Sequence, residues 1–277
     1  VIGKALPFDE YSKVDGINWS TLKEMRRSPL HYRYRLEHPR EDTPAFARGR
    51  AGHTAVFEPR RFLLEYALFE GAVRRGKAWD AFKAQHTKRT ILKKEEYETC
   101  LAVSDAVHAN PIAAEYLKKG KAESTITWTD TTSGLACKGR PDWISESKPA
   151  IVDLKTTSDV DPRKFASTAA RLGYHCQLAF YREGLRAMGT LYPVVIIAVE
   201  ATAPHDVAVY EMDEDSLYAG WEETARMLDA VARCRRENRW PGRFESQQTL
   251  RLPQWLWNDE DDARGLDLVV SGQSLVT

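Results

Sequence analysis

Cysteine is scarce in this 277-residue chain: Cys100, Cys137, Cys176 and Cys234 stand far apart, and no CxxC pair occurs. That spacing argues against a zinc ribbon, an iron–sulfur cluster and a disulfide framework, and leaves buried free thiols in a reducing cytosol as the expectation. No apolar run approaches the roughly 20 residues a membrane-spanning helix needs. No leader pattern opens the sequence either, so a soluble, cytoplasmic protein is expected. The absence of a GxxxxGK[ST] segment excludes a P-loop, and with it an ATP motor of that kind. Internal repeats and low-complexity tracts are missing as well. So is net charge, since Lys plus Arg and Asp plus Glu both number 40. A neutral total excludes a histone-like polycation but not a nucleic-acid partner, because binding depends on where the charge sits.

The charge that is present sits unevenly. Residues 23–40 carry Lys23, Arg26, Arg27, Arg33, Arg35 and Arg40 against Glu24 and Glu37, and residues 71–94 are also basic. Acid gathers near the end, in Asp259, Glu260, Asp261 and Asp262. Each basic run reads equally well as a solvated helix face or as a binding surface.

The hydrophobic pattern predicts an α/β fold with a mixed central β-sheet flanked by helices. The first ten residues read as a loose arm. A helix follows through Leu22, Met25 and Leu30, capped by Asn18 or Ser20. A second helix over 47–57 ends at Glu58-Pro59. The 71–94 segment reads as a loop with short helices, and 95–109 as a helix. Strands are expected at 124–128, at 135–144 as one strand bent near Gly139 and Pro141, and at 150–155, 194–199 and 207–212. Helices are expected at 162–170, 174–188 and 214–236. The N-terminal helices should pack near the sheet edge. No second domain is expected.

Three features converge in the second half. Gly139-Arg140-Pro141-Asp142 puts a carboxylate after a bend. Asp153-Leu154-Lys155 puts a carboxylate and an amine at i and i+2, on one face of a strand. Gln177 and Tyr181 lie at i and i+4, on one face of a helix. Two carboxylates with a backbone carbonyl between them and a lysine suit a hard divalent cation such as Mg²⁺, which takes one or two carboxylates and keeps several waters. Alone, Asp-x-Lys at a strand end reads as a surface ion pair, and Asp142 as a turn residue. The ordered combination is more specific.

These segments resemble the PD-(D/E)xK nuclease superfamily, and within it the exonuclease VIII type of phage and prophage recombination exonucleases, relatives of lambda exonuclease and of the RecB nuclease domain. The matching pieces are Arg140-Pro141-Asp142, Ile151 to Thr157, and Tyr174 to Tyr181. Ser20 to Tyr32 resembles the family's entry segment, Gly49 to Pro59 its Gly-x-x-x-His-x-x-x-x-Glu-Pro helix, and Leu252-Pro253-Gln254-Trp255 its C-terminal Leu-Pro-x-Trp.

The resemblance implies a restriction-endonuclease-like core in a single domain over 1–277, with a helical part at about 10–120, a catalytic core at about 121–245 and a tail at about 246–277. It implies that His53, Asp142, Asp153 and the Leu154 carbonyl hold Mg²⁺, with Mn²⁺ as the alternative. Lys155 would contact the attacking water, Glu123 would be an auxiliary carboxylate, and Gln177 and Tyr181 would together brace the site or contact DNA. Ser20, Arg26 and Arg27 would meet DNA. On an apolar helix face His53 would otherwise be a core histidine, and Ser20 would be a cap. The implied activity is 5′-to-3′ digestion of linear double-stranded DNA by a ring-shaped homo-oligomer, with the 3′ tail passed to a single-strand annealing protein. The tryptophan-bearing acidic tail (Trp255, Trp257, Asp259 to Asp262) is a candidate docking element for that partner. An endonuclease or single-strand nuclease on the same scaffold, or a non-catalytic DNA-end-binding protein, is the alternative.

Overall fold

Proline and capping residues cut the N-terminal half into short helices. The computed structural model describes residues 3, 5–39, 43–71 and 73–253. Helix α1 (Phe8–Lys13) follows Pro7. The Asn18 side chain accepts the Thr21 N–H at 2.9 Å and starts α2 (Trp19–Leu22), which tightens into a 3₁₀ turn over Lys23–Arg26. Asn18 is thus the cap, and Ser20 Oγ donates to its Oδ1 at 2.7 Å. Ser28 caps α3 (Pro29–Glu37), with proline in its first turn. The helix expected to run through Leu22, Met25 and Leu30 is therefore broken, because Ser28-Pro29 starts a new one.

Helices α4 (Pro44–Phe57) and α5 (Pro59–Glu65) divide at Glu58-Pro59, as the sequence predicts. Strand β1 (Tyr66–Phe69), α6 (Lys77–Gln85), β2 (Thr90–Lys93), α7 (Lys94–Ala109) and α8 (Pro111–Leu117) follow. Strand β2 corrects the reading of 71–94 as loop and short helices: it pairs in parallel with β1 from Tyr66↔Thr90 to Phe69↔Lys93.

The second half carries the main sheet. Its elements are β3 (Gly120–Ala122), β4 (Ile126–Thr129), β5 (Ala136–Gly139), β6 (Trp143–Ser145), β7 (Ala150–Thr157), α9 (Pro162–Leu172), α10 (Tyr174–Ala187), β8 (Val194–Glu200), β9 (Val207–Glu211) and α11 (Glu214–Glu237). Residues 135–144, expected as one bent strand, are two. β5 pairs with β4 in a separate hairpin, while β6 joins a five-stranded sheet in the order β3-β6-β7-β8-β9. β7 and β8 are parallel, joined by the α9–α10 crossover such a pair requires, and the other pairs are antiparallel.

Alternation along β7 and β8 splits the core in two. Ile151, Val194, Ile196 and Ala198 pack with Leu178, Leu185, Leu228 and Val231 of α10 and α11. Val152, Leu154, Val195, Ile197 and Val199 pack with Val56 and Phe57 of α4 and Val103 and Val107 of α7. The apolar run of β8 is continuous because both faces are covered. The N-terminal helices α4 and α7 thus cover a sheet face, which corrects their expected place at the edge.

The loose arm is corrected too. Ala5 bridges to Ser124, the Leu6 carbonyl accepts from the Arg140 guanidinium at 3.2 Å, and α1 already begins at Phe8. All four cysteines are buried and free. Among the described residues no helix is long and apolar enough to cross a membrane. Contacts divide the chain into two units, Val1–Arg243 and Phe244–Thr277. Residues 244–253 of the second contain no helix or strand. Trp255, Trp257 and Asp259 to Asp262 lie outside the described residues.

Candidate active site

Strand β6 stops pairing with β7 at Trp143↔Val152, whereas β8 continues to Thr157↔Glu200. One edge of β7 is therefore left open from Asp153 onward. Asp142, one residue before β6, fills the start of that gap: its Oδ2 accepts the Leu154 N–H at 3.0 Å. The N–H and C=O of one strand residue point to the same edge. The Leu154 carbonyl thus faces the same opening as Asp142. His53 Nδ1 lies 3.2 Å from the same Asp142 Oδ2. The helix that carries His53 is pinned at its last turn. Phe57 stacks on Trp143 with centroids 5.8 Å apart, and Ser104 Oγ donates to the Ala55 carbonyl at 2.9 Å.

Asp153 and Lys155 share the face of β7 turned toward α10. Lys155 Nζ is 2.6 Å from Asp153 Oδ2, donates to Gln177 Oε1 at 3.2 Å and sits 4.5 Å above the Tyr174 ring. Gln177 Nε2 donates in turn to the Tyr181 hydroxyl at 3.3 Å. Helical spacing puts Tyr174, Gln177 and Tyr181 on one face of α10.

Burial pushes the Asp153 carboxyl up to about 6, although the Lys155 charge draws it down. Burial also acts on Asp142, but there the charge and hydrogen bond of His53 outweigh it and hold the carboxyl below its usual range. His53 is raised: burial opposes its charge, and Asp142 overcomes that opposition. Lys155 is likewise raised against burial by Asp153 and Asp142. Two neighbouring carboxylates are thus driven apart in acidity, a pattern typical of acid–base and metal sites.

Both Asp153 oxygens are buried, and the charged group beside them is Lys155 Nζ, 2.6 Å from Oδ2. Oδ1 is left with no partner of its own, an acceptor position that a bound cation would fill. Asp142, Asp153 and the Leu154 carbonyl are the hard oxygen donors Mg²⁺ takes, and an imidazole beside them is compatible with Mn²⁺. The residues present fit such an ion. In this structure their charges are met by ion pairs. Among the described residues, three His, Cys or carboxylate donor atoms gather within 4.8 Å of one another elsewhere, at His175, Cys176 and Glu223. Beside His53 a cavity of about 570 Å³ opens along α4, α7 and the end of β7, lined in part by Arg48, Gly49, Gly52, Thr99, Leu154 and Thr156. Nothing lies within 4 Å of where a Cβ would stand on Gly49 or Gly52, so this side of the helix is smooth and open.

Residues 18–253 match the model of a PDDEXK-like domain of unknown function, DUF3799. The chain belongs to this family. No curated protein matches it. Among solved structures, a candidate exonuclease from Eubacterium rectale superposes with a TM-score of 0.62 at 15% identity, covering 93% of this chain and 100% of that one. An alkaline exonuclease from Laribacter hongkongensis matches with a TM-score of 0.23 at 12% identity, over 68% of this chain and 93% of that one, a likeness too weak to support an inference. The mixed five-stranded sheet with flanking helices is the PDDEXK nuclease core.

Within this DUF3799 domain the expected residues separate into three groups. His53, Asp142, Asp153, Leu154, Lys155 and Gln177 come together at the open edge of β7. Glu123 is adjacent but engaged: its carboxylate pairs with Arg140 at 2.7 Å and Arg61 at 3.4 Å, and its N–H donates to the Asp142 carbonyl at 2.9 Å. Its φ of 48° is left-handed, a conformation costing on the order of 1 kcal/mol for a non-glycine residue. Glu123 thus positions the Asp142 backbone. Tyr181 is only 9% exposed and its hydroxyl accepts from Gln177 Nε2, an arrangement that favours bracing of the site over contact with DNA. Ser20 and Arg27 are exposed, whereas Arg26 is tied to Glu223 at 2.7 Å. Tyr174 and Arg140 were not among the expected site residues. Tyr174 lies three residues before Gln177, and that helical spacing was the available signal.

Proposed function

We propose that this chain is a metal-dependent deoxyribonuclease that digests linear double-stranded DNA from 5′ to 3′ and leaves 3′ single-stranded tails for recombination by strand annealing. One observation carries the reading: the open edge of β7, where Asp142 and Leu154 face the gap and Asp153 and Lys155 share the adjoining face. A DNA-end-binding protein without activity has no use for that full set.

His53, Asp142, Asp153 and the Leu154 carbonyl are the residues that would hold Mg²⁺ or Mn²⁺. Such an ion lowers the pKa of a nearby water and offsets charge on the phosphoryl oxygens. Lys155 orients the attacking water and meets the negative charge that grows on the phosphate. Gln177 fixes the direction of Nζ, and Tyr181 fixes Gln177. Asp142 receives its orientation from His53 and from the Leu154 N–H. The open cavity beside His53 gives the strand end room to approach, and Ser20 and Arg27 are the surface side chains proposed to meet its phosphates.

The direction of digestion, the double-stranded substrate and the recombination role are supported by the resemblance to exonuclease VIII-type enzymes. The same resemblance supports a ring-shaped homo-oligomer, since processive digestion without ATP needs a topological link to DNA, and a single-strand annealing protein as partner.

The test is digestion of a linear duplex labelled at either end, with Mg²⁺, Mn²⁺ or EDTA, beside a closed circle. Metal-dependent loss of nucleotides from 5′ ends of the linear duplex alone is the expected result. Cutting of the circle would establish an endonuclease. Binding without cleavage under every divalent metal would establish a non-catalytic DNA-end-binding protein.

A further inference from the structure

The meeting point of α9, α10 and α11 holds a second constellation that the proposed reaction does not use. Cys176 Sγ lies 3.3 Å from His175 Nε2 and 3.4 Å from Glu223 Oε2, and the latter two are 3.9 Å apart. A tetrahedral zinc ion with its usual bond lengths separates such donors by about 3.6 Å for sulfur to nitrogen or oxygen and about 3.4 Å for nitrogen to oxygen. The observed edges agree to within about 0.5 Å of those lengths.

The same sulfur meets both partners: Cys176 Sγ donates to Glu223 Oε2, and the His175 ring nitrogen Nε2 stands within hydrogen-bond distance of it. The surroundings orient the donors from outside. Arg26 Nε takes the outer oxygen of Glu223, Oε1, at 2.7 Å and leaves Oε2 turned inward. Such outer contacts are characteristic supports of metal ligands. Cys176 is fully buried, while the side chains of His175 and Glu223 are 21% and 30% exposed and open the cluster to solvent.

We propose that His175, Cys176 and Glu223 form a second metal site, separate from the candidate active site, for a borderline-soft divalent cation of the Zn²⁺ class with water as fourth ligand. Thiolate and imidazole select Zn²⁺ over Mg²⁺. On binding, the Cys176 S–H bond breaks, its proton leaves to solvent and a sulfur–metal bond forms. No electron is transferred. The site joins α10 to α11 one residue before Gln177, so the ion would lock the helix that positions Lys155. This inference stands whether or not the chain cleaves DNA.

Cobalt decides it. The full chain, stripped with EDTA, is titrated with Co²⁺ and followed for the thiolate-to-cobalt charge-transfer band in the near ultraviolet. The oxygen and nitrogen donors at Asp142, Asp153 and His53 cannot produce that band. The expected result is a band that Zn²⁺ abolishes, that persists in Asp153→Asn and that is lost in Cys176→Ser. Glu223→Gln should weaken binding by about tenfold or more. Absence of the band in the unaltered chain, or its survival in Cys176→Ser, would overturn the site. Where Cys176→Ser does not fold, His175→Gln replaces it, and unchanged Co²⁺ affinity in that variant would overturn the site equally.

Discussion

Lys155 is the side chain on which most of the candidate site converges. Its ammonium is held by Asp153, Gln177 and the Tyr174 ring, and three contacts on a four-carbon stem leave it little rotational freedom. Removing it takes away the group that meets developing charge but no part of the apolar core. Asp153, left without its partner, can take up a proton, so the fold should survive. Lys155→Ala is expected to lower cleavage by about 100-fold or more with DNA binding retained and a circular-dichroism melt close to that of the unaltered chain. Near-normal cleavage would remove Lys155 from the mechanism. Asp153 yields a second prediction, with a sign that can be worked out. Its folded pKa of about 6 exceeds the ordinary 3.8. Its contribution to stability is therefore complete below the unfolded value and is lost as pH rises through 6. Above pH 6 the ionised carboxylate is a burden on the metal-free chain, and a cation bound there relieves it. Mg²⁺ should raise the melting temperature more at pH 7.5 than at pH 5, where protons compete for Asp153 and for His53. An equal rise at both values would mean that the ion binds elsewhere.

Helix α10 is the element that links the core to the site, and its contact with α11 admits no side chain at one point. A Cβ on Gly220 would stand 2.5 Å from the His175 carbonyl oxygen and 2.9 Å from the Cys176 nitrogen. Backbone cannot yield as a flexible side chain does. Gly220→Ala should cost about 1–3 kcal/mol, read as a lower urea midpoint. It should also slow cleavage under conditions where the variant remains folded, because tilting α10 moves Gln177 away from Lys155. Gly242→Ala, whose Cβ would meet nothing within 4 Å, is the control. What the sequence made legible at this scale was local. Glu58-Pro59 ends a helix by its own geometry, and Asp153 and Lys155 share a face because strands alternate. What stayed hidden depended on distant partners. The bend from Gly139 to Pro141 reads alike whether a strand curves or changes sheets, and only the pairing of β5 with β4 and of β6 with β3 and β7 decides. Strand β2 is four residues among charges, and its partner lies on the far side of α6. The spacing of Gln177 and Tyr181 was plain, but Tyr181 is buried because the β4–β5 hairpin packs over α10, which no local pattern announces. Glu123 was visible as a carboxylate, while its partners Arg61 and Arg140 come from other elements.

Over the whole molecule, equal numbers of acidic and basic residues conceal a division of labour within the basic 71–94 run. Arg74 is structural: it bonds the Ile91 carbonyl and Glu96, each at 2.9 Å. Arg89 is structural as well, donating to the carbonyls of Leu63 and Tyr66. Arg75, Lys77, Lys83 and Lys88 are instead exposed. Electrostatic binding to DNA releases roughly one counterion per phosphate neutralised, so each lost contact lowers the slope of log affinity against log salt by about one. With Lys155→Ala as background to prevent cleavage, neutralising Lys77 and Lys83 together should reduce that slope by about two and leave the melting temperature unchanged. Arg74→Ala should do the reverse, lowering stability with little change in slope. Sedimentation velocity on the same samples tests the ring: an assembly that survives loss of Lys77 and Lys83 while its salt dependence falls puts these lysines on the DNA-facing side and not in the subunit contacts. An unchanged slope would take the 71–94 segment off the DNA path and return that role to the arginines around Arg27.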